Sequence, residues 1–600
     1  VVKRDTVYVT GYHTAGDGAF GSHFFKRVDS AGTDNTGTII VPNGVTTYYY
    51  ALQYEGVVNV KWFGAVGDGV TDNYNSFSNI PSSIKNIELP KGNYIIGTNT
   101  TINATITLVP GAVLNIKDGI TVTFTNEIIA GIYQIFNLNT SGLIIPNLSK
   151  NNKCYIEWFG AIPNDSNYDT SVNFTQAQQF FNKIELQAAD YWINNTIVVD
   201  KSHFTIKGKG KHWLKNNQST RIIQTDGTKD AIYVYGSSAV NTDPSTFVQE
   251  VHLSGFDCLH VNLTTPALGN EIGGPAGIRV KYALYTYIEN VNCVEGYLGF
   301  VLSGTIQSHL KNCFAFRSSA ATVNDANSND KFFGFFLDGN TNIGLAGGNG
   351  STYITDCSAR TGGNPTLITS VGLFNIGNFV DTFIFRMETS HCIEGISFDG
   401  TGATNVGNVD VHIINPVVDT YSDRGIYIRN TNNAGNISIS SPYCAPAGSA
   451  SSALGAIEVR NSNASVSIIN PNLIGGGNTN AVGINIASAQ NVTIDGGCVV
   501  DFVRPISLTS SNFCSIITST SNYNVTTSQA ALWTSDANSN YFKPTITGAS
   551  SNVATAGIQL TGNSNNNESN TTNIDTSAIN GGVKYANNGS GTGNIQSGVL

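Results

Sequence analysis

Gly395-Ile-Ser-Phe-Asp-Gly400, Gly425-Ile-Tyr-Ile-Arg-Asn430 and Ala456-Ile-Glu-Val-Arg-Asn461 are three versions of one phrase, begun 30 and 31 residues apart. Each opens on a small residue, alternates apolar with polar, and closes on Gly or Asn. Alternation of this kind marks a strand with one buried face, and the closing residue marks a turn. The phrase occurs earlier as Gly277-Ile-Arg-Val280, Gly299-Phe-Val-Leu-Ser-Gly304, Gly334-Phe-Phe-Leu-Asp-Gly339 and Gly372-Leu-Phe-Asn-Ile-Gly377, and later as Gly483-Ile-Asn-Ile486. Successive starts are 22, 35, 38, 23, 30, 31 and 27 residues apart. A propeller blade needs a steadier period of about 40–45 residues, and a leucine-rich unit needs a Leu/Asn frame. Short strands at unequal steps suit a solenoid whose turns swell with insertions. The spacing predicts an all-β chain wound as a right-handed parallel β-helix.

A second strand lies between successive phrases. Phe256-Asp-Cys258, Val291-Asn-Cys293, Cys313-Phe-Ala315, Cys357-Ser-Ala359, Met387-Glu-Thr389, Pro416-Val-Val418, Pro442-Tyr-Cys444 and Pro471-Asn-Leu473 superpose, and their first and third members are mostly small or apolar. Those members should point inward. Cysteine fills five of these sixteen slots, as a small stacking residue of a solenoid core. Asn-rich turns fit the same plan, because Asn tolerates left-handed backbone.

Composition agrees. Of 600 residues, 12% are charged and 40% hydrophobic, with 63 Gly, about 70 Asn and one Met. An average soluble protein carries roughly twice that charged fraction. Few charges argue against long exposed helices, and an aromatic share of 10% argues against disorder. The net charge of −10, with no Lys/Arg stripe, gives no support for nucleic-acid binding. No apolar run approaches the ~20 residues of a membrane-spanning helix, so no membrane insertion is expected. The nine cysteines form no CxxC pair, which argues against a zinc site and a disulfide scaffold.

Nearer the start, Trp62-Phe-Gly-Ala65 recurs as Trp158-Phe-Gly-Ala161, 96 residues on. Ile87-Glu-Leu89 and Tyr94 return as Ile184-Glu-Leu186 and Tyr191, each 97 residues on. Residues 61–110 and 157–206 therefore read as two copies of one unit: a strand ending in the Trp-Phe-Gly-Ala motif, a loop, a short helix and paired strands. Thr175 to Lys183 is the best helical segment in the chain.

Lys61-Trp-Phe-Gly-Ala-Val-Gly-Asp-Gly-Val-Thr-Asp72, together with the coil pattern over residues 60–520, resembles the pectate-lyase-like β-helix domains of bacteriophage tailspikes. Those are the capsule depolymerases of tailed phages. The resemblance implies a trimeric tailspike architecture, a homotrimer with its β-helices side by side, joined to the phage tail or baseplate by an N-terminal region. The start Val1-Val2-Lys3-Arg4-Asp5, without Met or apolar leader, fits a chain trimmed of that region. The expected organisation is a connector or neck over 1–60, the duplicated helix-containing units over 61–200, a catalytic β-helix over 201–520, and a β-rich module over 521–600 that stabilises the trimer or binds carbohydrate. The implied location is a virion tail, made in the bacterial cytoplasm and acting at the host cell surface.

Asp68 and Asp72 are spaced like a small cation loop, yet they read better as a turn and a helix cap. The second copy, Ala161-Ile-Pro-Asn-Asp-Ser-Asn167, loses the Gly-Asp-Gly pattern while keeping the unit. No metal or other cofactor is called for. Hydrolysis of a polysaccharide takes two carboxyl groups, ~5–5.5 Å apart for retention or ~6.5–9.5 Å for inversion. Rungs of a solenoid ~4.8 Å apart can supply either spacing. The segments Cys357-Ser-Ala-Arg360, Arg386-Met-Glu-Thr-Ser-His391 and Asn415-Pro-Val-Val-Asp-Thr-Tyr-Ser-Asp423 carry the densest ionisable set in this charge-poor chain. Glu388 and Asp419 are the expected acid/base pair, with Arg360 binding a substrate carboxylate and His391, Tyr421, Asp423 and Arg424 lining subsites. Glu394, Glu295 and Asp338 are alternatives, and the competing view makes all of them solvated turn charges or intersubunit ion pairs. Trp213 and Trp533, outside the repeated motif, are candidates for sugar platforms or for burial.

No HExxH, GxSxG or phosphate-binding loop is present, which weakens protease, esterase and kinase readings. Three functions remain. The first is an endo-acting hydrolase of capsule or O-antigen. The second is a lyase using Arg360, His391 and Tyr421 for elimination beside a uronic acid. The third is a non-catalytic receptor-binding fibre or adhesin.

Overall fold

The computed structural model describes residues 5–597 except 213–217, 238–243, 268–269, 319–329, 341–348, 363–368, 403–408, 432–434, 449–454, 477–479, 523–529, 550–556, 572–573, 575–584 and 589. Trp213 lies outside the described residues. The chain divides into two compact units, residues 1–187 with 204–207 and residues 188–203 with 208–600.

In the first unit, Thr6–Tyr8, Phe24–Val28, Tyr49–Leu52 and Ile39–Ile40 form an antiparallel sheet. The two copies that follow fold alike. Val58 and Asn59 pair with Ile87 and Glu88, and Cys154 and Tyr155 pair with Ile184 and Glu185, in the same parallel register. The Trp-Phe pair, expected at a strand end, lies instead in one turn of 3₁₀ helix, Val60–Phe63 and Ile156–Phe159. Gly64 (φ 87°) and Gly160 (φ 92°) close the two turns, at angles only glycine adopts without cost. Their N–H groups donate to the Lys61 and Glu157 carbonyls, each at 3.0 Å. All four Trp and Phe rings are buried, so the tetrapeptide is kept as a packing block.

Helices follow at Tyr74–Ser78 and Ser171–Phe180. The second is displaced toward the N-terminus from the Thr175–Lys183 expected. Asp169 Oδ1 accepts the Ser171 N–H at 3.0 Å and starts it early, while Lys183–Glu185 is drawn into a parallel ladder. Asp68 accepts the N–H groups of Thr71 (2.8 Å) and Val70 (2.9 Å), which hold its pKa down to about 2. Asp72 accepts those of Tyr74 (3.1 Å) and Gly97 (3.0 Å). Both carboxylates serve the turn and the helix start.

The second unit is a parallel β-helix of three ladders. The first contains Lys331–Gly339, Thr369–Gly377, Glu394–Asp399 and Arg424–Arg429; the second, Asn349–Thr355, Phe379–Phe385 and Val409–Ile414; the third, Ser358–Thr361, Glu388–Ser390 and Val417–Tyr421. Each strand pairs in parallel with its equivalents one coil before and after. In the third ladder Cys258, Cys293, Ala315, Ala359, Thr389, Val418, Cys444 and Leu473 stack in one unbroken buried column. All nine cysteines are free thiols, eight of them buried, and burial pushes the Cys392 thiol up to about 12. The facing column in the first ladder is Ile278, Phe300, Phe335, Leu373, Ile396, Ile426, Ile457 and Ile484.

The glycine that opens each phrase has a steric cause. A Cβ on Gly334, Gly372 or Gly395 would lie 2.5, 2.4 or 2.3 Å from Ala359, Thr389 or Val418 of the third ladder. Where the second ladder turns into the third, one left-handed residue recurs in each coil: Asn290, Asn312, Asp356, Arg386, Asn415, Ser441 and Asn470, with φ between 48° and 54°. Parallel pairing continues beyond residue 520, where Leu532–Ser535, Ile558–Thr561 and Tyr585–Asn587 extend the first ladder.

Candidate functional site

The irregular step at each opening glycine lets the residue before it face outward along with the strand's regular outer positions. Three outer columns result on the first ladder: Phe333–Val371–Glu394–Arg424, Phe336–Phe374–Ser397–Tyr427, and Ser303–Asp338–Ile376–Asp399–Arg429. Nine of these thirteen residues, all but Arg424, Ser397, Tyr427 and Ser303, line a groove of about 700 Å³. Phe333, Phe336, Phe374, Val371, Ile376 and Ile272 give it an apolar floor, while Lys331, Asp338, Asn340, Thr369, Glu394, Asp399 and Arg429 supply polar groups. Phe333 and Phe374 each meet Phe336 edge-on, with ring centroids 5.4 Å apart. Ile272 is braced by Arg279, whose guanidinium donates to the Ile272 and Gly274 carbonyls at 2.7 and 2.6 Å and pairs with Asp230 at 2.7 Å.

Asp338 and Asp399 stand on alternate rungs with Ile376 between them, so their Cα atoms are about 10 Å apart at ~4.8 Å per rung. Both are largely buried, at 5% and 7% exposure. Asp338 accepts the Ser303 hydroxyl at 2.6 Å and the Asn340 N–H at 3.1 Å. Asp399 accepts Arg429 Nε (2.7 Å), Asn430 Nδ2 (3.0 Å), and the hydroxyl (2.6 Å) and N–H (3.0 Å) of Thr401. Burial alone would raise the Asp399 pKa, but Thr401, Asn430 and Arg429 outweigh it and hold the carboxyl below its ordinary range. Next to it, Arg424 pairs with Glu394 (3.2 Å), Glu458 (2.7 Å) and Asp423. Burial, with the charges of Glu394 and Glu458, pushes Asp423 up despite Arg424. Tyr427 lies between the Arg424 and Arg429 guanidinium groups, 4.3 and 4.8 Å from its ring centre.

The residues singled out from sequence divide between two sheets. Arg360, Ser390 and Asp419 form one outer column of the third ladder, and Glu388 stands in the adjoining column with Ser358 and Val417. Glu388 and Asp419 are thus diagonal neighbours on adjacent rungs, about 7–8 Å apart between Cα atoms. Arg360, Glu388 and His391 are exposed, and Asp419 is half-buried. His391 occupies a left-handed turn (φ 55°), its N–H bonded to Thr420 Oγ1 at 2.9 Å. Tyr421 corrects the expectation. It is fully buried and its hydroxyl has no partner among the described residues, so it fills the solenoid interior rather than a subsite. Asp423 and Arg424 belong to the groove's ion network on the first ladder. Trp533, an outer residue of that ladder farther along, is half-buried under Arg504 at 4.5 Å.

Asp399 and the phenylalanine floor were missed in the sequence, although signals for both exist. Leu337-Asp338-Gly339 and Phe398-Asp399-Gly400 put an acid at the same place in two phrases. In Gly372-Leu-Phe-Asn-Ile-Gly377 the alternation is inverted, placing Asn375 in the buried column and Ile376 outside.

No family model matches this chain, and no curated protein matches it in sequence. Solved structures that resemble it are β-helix proteins. One is the A-module of the mannuronan C-5 epimerase AlgE6 from Azotobacter vinelandii, at 13% identity and a TM-score of 0.37, covering 74% of this chain and 100% of that one. Another is tailspike protein 3 of bacteriophage CBA120, at 12% identity and a TM-score of 0.40, covering 75% of this chain and 61% of that one. A tailspike of an Acinetobacter phage gives 12% identity and a TM-score of 0.33, covering 75% and 64%. At these values the likeness is one of fold.

Proposed function

We propose that this protein binds and cleaves a bacterial surface polysaccharide, capsule or O-antigen, as an endo-acting hydrolase, and that the groove on the first ladder is its site. The observation that supports this most is the pair Asp338 and Asp399, set on alternate rungs beside a floor of phenylalanines. Aromatic faces and edges suit the apolar sides of sugar rings. Carboxyl groups spaced ~6.5–9.5 Å apart leave room for a water molecule and lead to inversion. Asp399, held ionised by Arg429, takes a proton from that water as it attacks the anomeric carbon. Asp338, positioned by Ser303 and Asn340, gives its proton to the departing glycosidic oxygen.

A second reading keeps Glu388 and Asp419 as the acid/base pair with Arg360 beside them, and is favoured by their diagonal placement on adjacent rungs. The resemblance of Lys61–Asp72 to tailspikes further suggests a homotrimer carried on a phage tail. Sedimentation should then give three times the chain mass of 63.7 kDa.

The deciding experiment incubates the protein with purified capsules and O-antigens and follows viscosity, new reducing ends and the ultraviolet absorbance of unsaturated uronates. Falling viscosity with reducing ends and no new absorbance is expected. New absorbance would make it a lyase, and binding without cleavage an adhesin. Asp338→Asn and Asp399→Asn should each lower turnover at least about 100-fold, as loss of a proton-transfer group does, and Glu388→Gln should leave it unchanged. The opposite pattern moves the site to the third ladder.

A further inference from the structure

We infer that the groove takes a neutral polysaccharide, one whose repeat places hexoses or N-acetylhexosamines and no uronate over Asp338 and Asp399; this rests on the groove being the cleavage site. The inference comes from what the arginines are already bonded to. Arg429 holds Asp399 at 2.7 Å. Arg424 is shared among Glu394, Asp423 and Glu458, and Arg460 also pairs with Glu458 at 2.7 Å. Arg279 is spent on Asp230 and two backbone carbonyls. Over these rungs every described arginine of the first ladder's outer face is a counter-ion to the protein's own acids.

The groove lining itself has Lys331 and Arg429 against Asp338, Glu394 and Asp399. A sugar carboxylate entering there would lose its water in a partly desolvated space beside Glu394 and Asp399, whose arginine partners Arg424 and Arg429 are already bonded to them. β-Elimination needs that carboxylate neutralised, so the same charge balance disfavours lyase chemistry. A neutral sugar meets the opposite situation. Its hydroxyls can donate to the carboxylates and its apolar side, or an N-acetyl methyl, can rest on Phe336 and Phe374. Arg360, which is exposed, faces outward from the third ladder and not into the groove.

The test uses the full chain and two sets of purified capsular polysaccharides of known repeat, one neutral and one bearing uronates, with reducing ends and surface binding as readouts. Each acidic polymer is also tested after its uronates are reduced to neutral hexoses. Cleavage is expected on neutral polymers, and at least about tenfold slower on any acidic polymer than on its carboxyl-reduced form. Preferential cleavage of an uronate polymer that is lost on carboxyl reduction overturns the inference. If Asp338→Asn and Asp399→Asn are inactive on that polymer, the site stands and only the charge argument fails. If both variants remain active, the site reading fails as well. Binding to neither set overturns both.

Discussion

Tyr421 and Asp399 show how a single residue's surroundings decide what it does. Tyr421 has the chemistry of a base or a sugar ligand, but its hydroxyl is buried without a partner among the described residues, and burial pushes its pKa far up. An unpaired buried hydroxyl costs about 1–3 kcal/mol. Tyr421→Phe should therefore be neutral or raise stability by about 1 kcal/mol, whereas Tyr421→Ala should cost about 3–5 kcal/mol through the cavity it leaves. Denaturant unfolding measures both, and unchanged turnover in Tyr421→Phe confirms an interior role. Asp399 is the reverse case. Its pKa in the fold is below the ordinary 3.8, so its contribution to stability is complete above that value and is lost as pH falls through the folded pKa. Asp399→Asn should cost about 1–3 kcal/mol at neutral pH. The gap between the two proteins should narrow as the pH of the unfolding measurement falls below 3.8 and through the lowered folded pKa; a gap independent of pH would show that the carboxylate gains nothing from Arg429.

Among the elements, the strands of the third ladder were the most legible part of the chain. Eight aligned triplets gave the column from Cys258 to Leu473, and the observed register reproduces it residue for residue. A small inward residue every coil is dictated by close packing against the opening glycines, so sequence periodicity carries the information directly. This packing predicts thiol chemistry. A charged thiol reagent should label one cysteine per native chain, the half-buried Cys498, and nine after unfolding; rapid labelling of several native thiols would contradict a packed column. The outer faces were less legible because solvent imposes no period on them. Glu388, Asp419 and Arg360 were found by charge density, which is blind to the column each residue occupies. Phe336 and Phe374 were passed over because an apolar residue at an outer position looks like a fault in the alternation until a neighbouring rung supplies its partner. The helix at Ser171–Phe180 was found but misplaced, since the Asp169 cap and the strand at Lys183–Glu185 set its ends.

For the molecule as a whole, the scarcity of charge follows from the same architecture. Interior columns use Ile, Val and Cys, corners use Asn, and the arginines and acids of the first ladder's outer face largely neutralise one another. The ladder also bears on how the chain ends. Beyond residue 520, Ile506 and Leu508 stack on Leu532 and Thr534, Ile516 stacks on Phe542, and Leu532 in turn stacks on Ile558. A solenoid is stable through contacts between neighbouring repeats and needs a covered end. Cutting it open bares a strand edge together with the apolar column behind it. A fragment ending at residue 520 should therefore unfold several degrees below the full chain and self-associate, with the loss visible in thermal unfolding and light scattering. If 521–600 is instead a separate module that stabilises a trimer, the fragment should keep the full chain's β-helix transition and stay soluble as a monomer, losing only the trimer. The two outcomes differ in the β-helix transition itself, so one unfolding experiment on the two proteins distinguishes a continued ladder from an appended module.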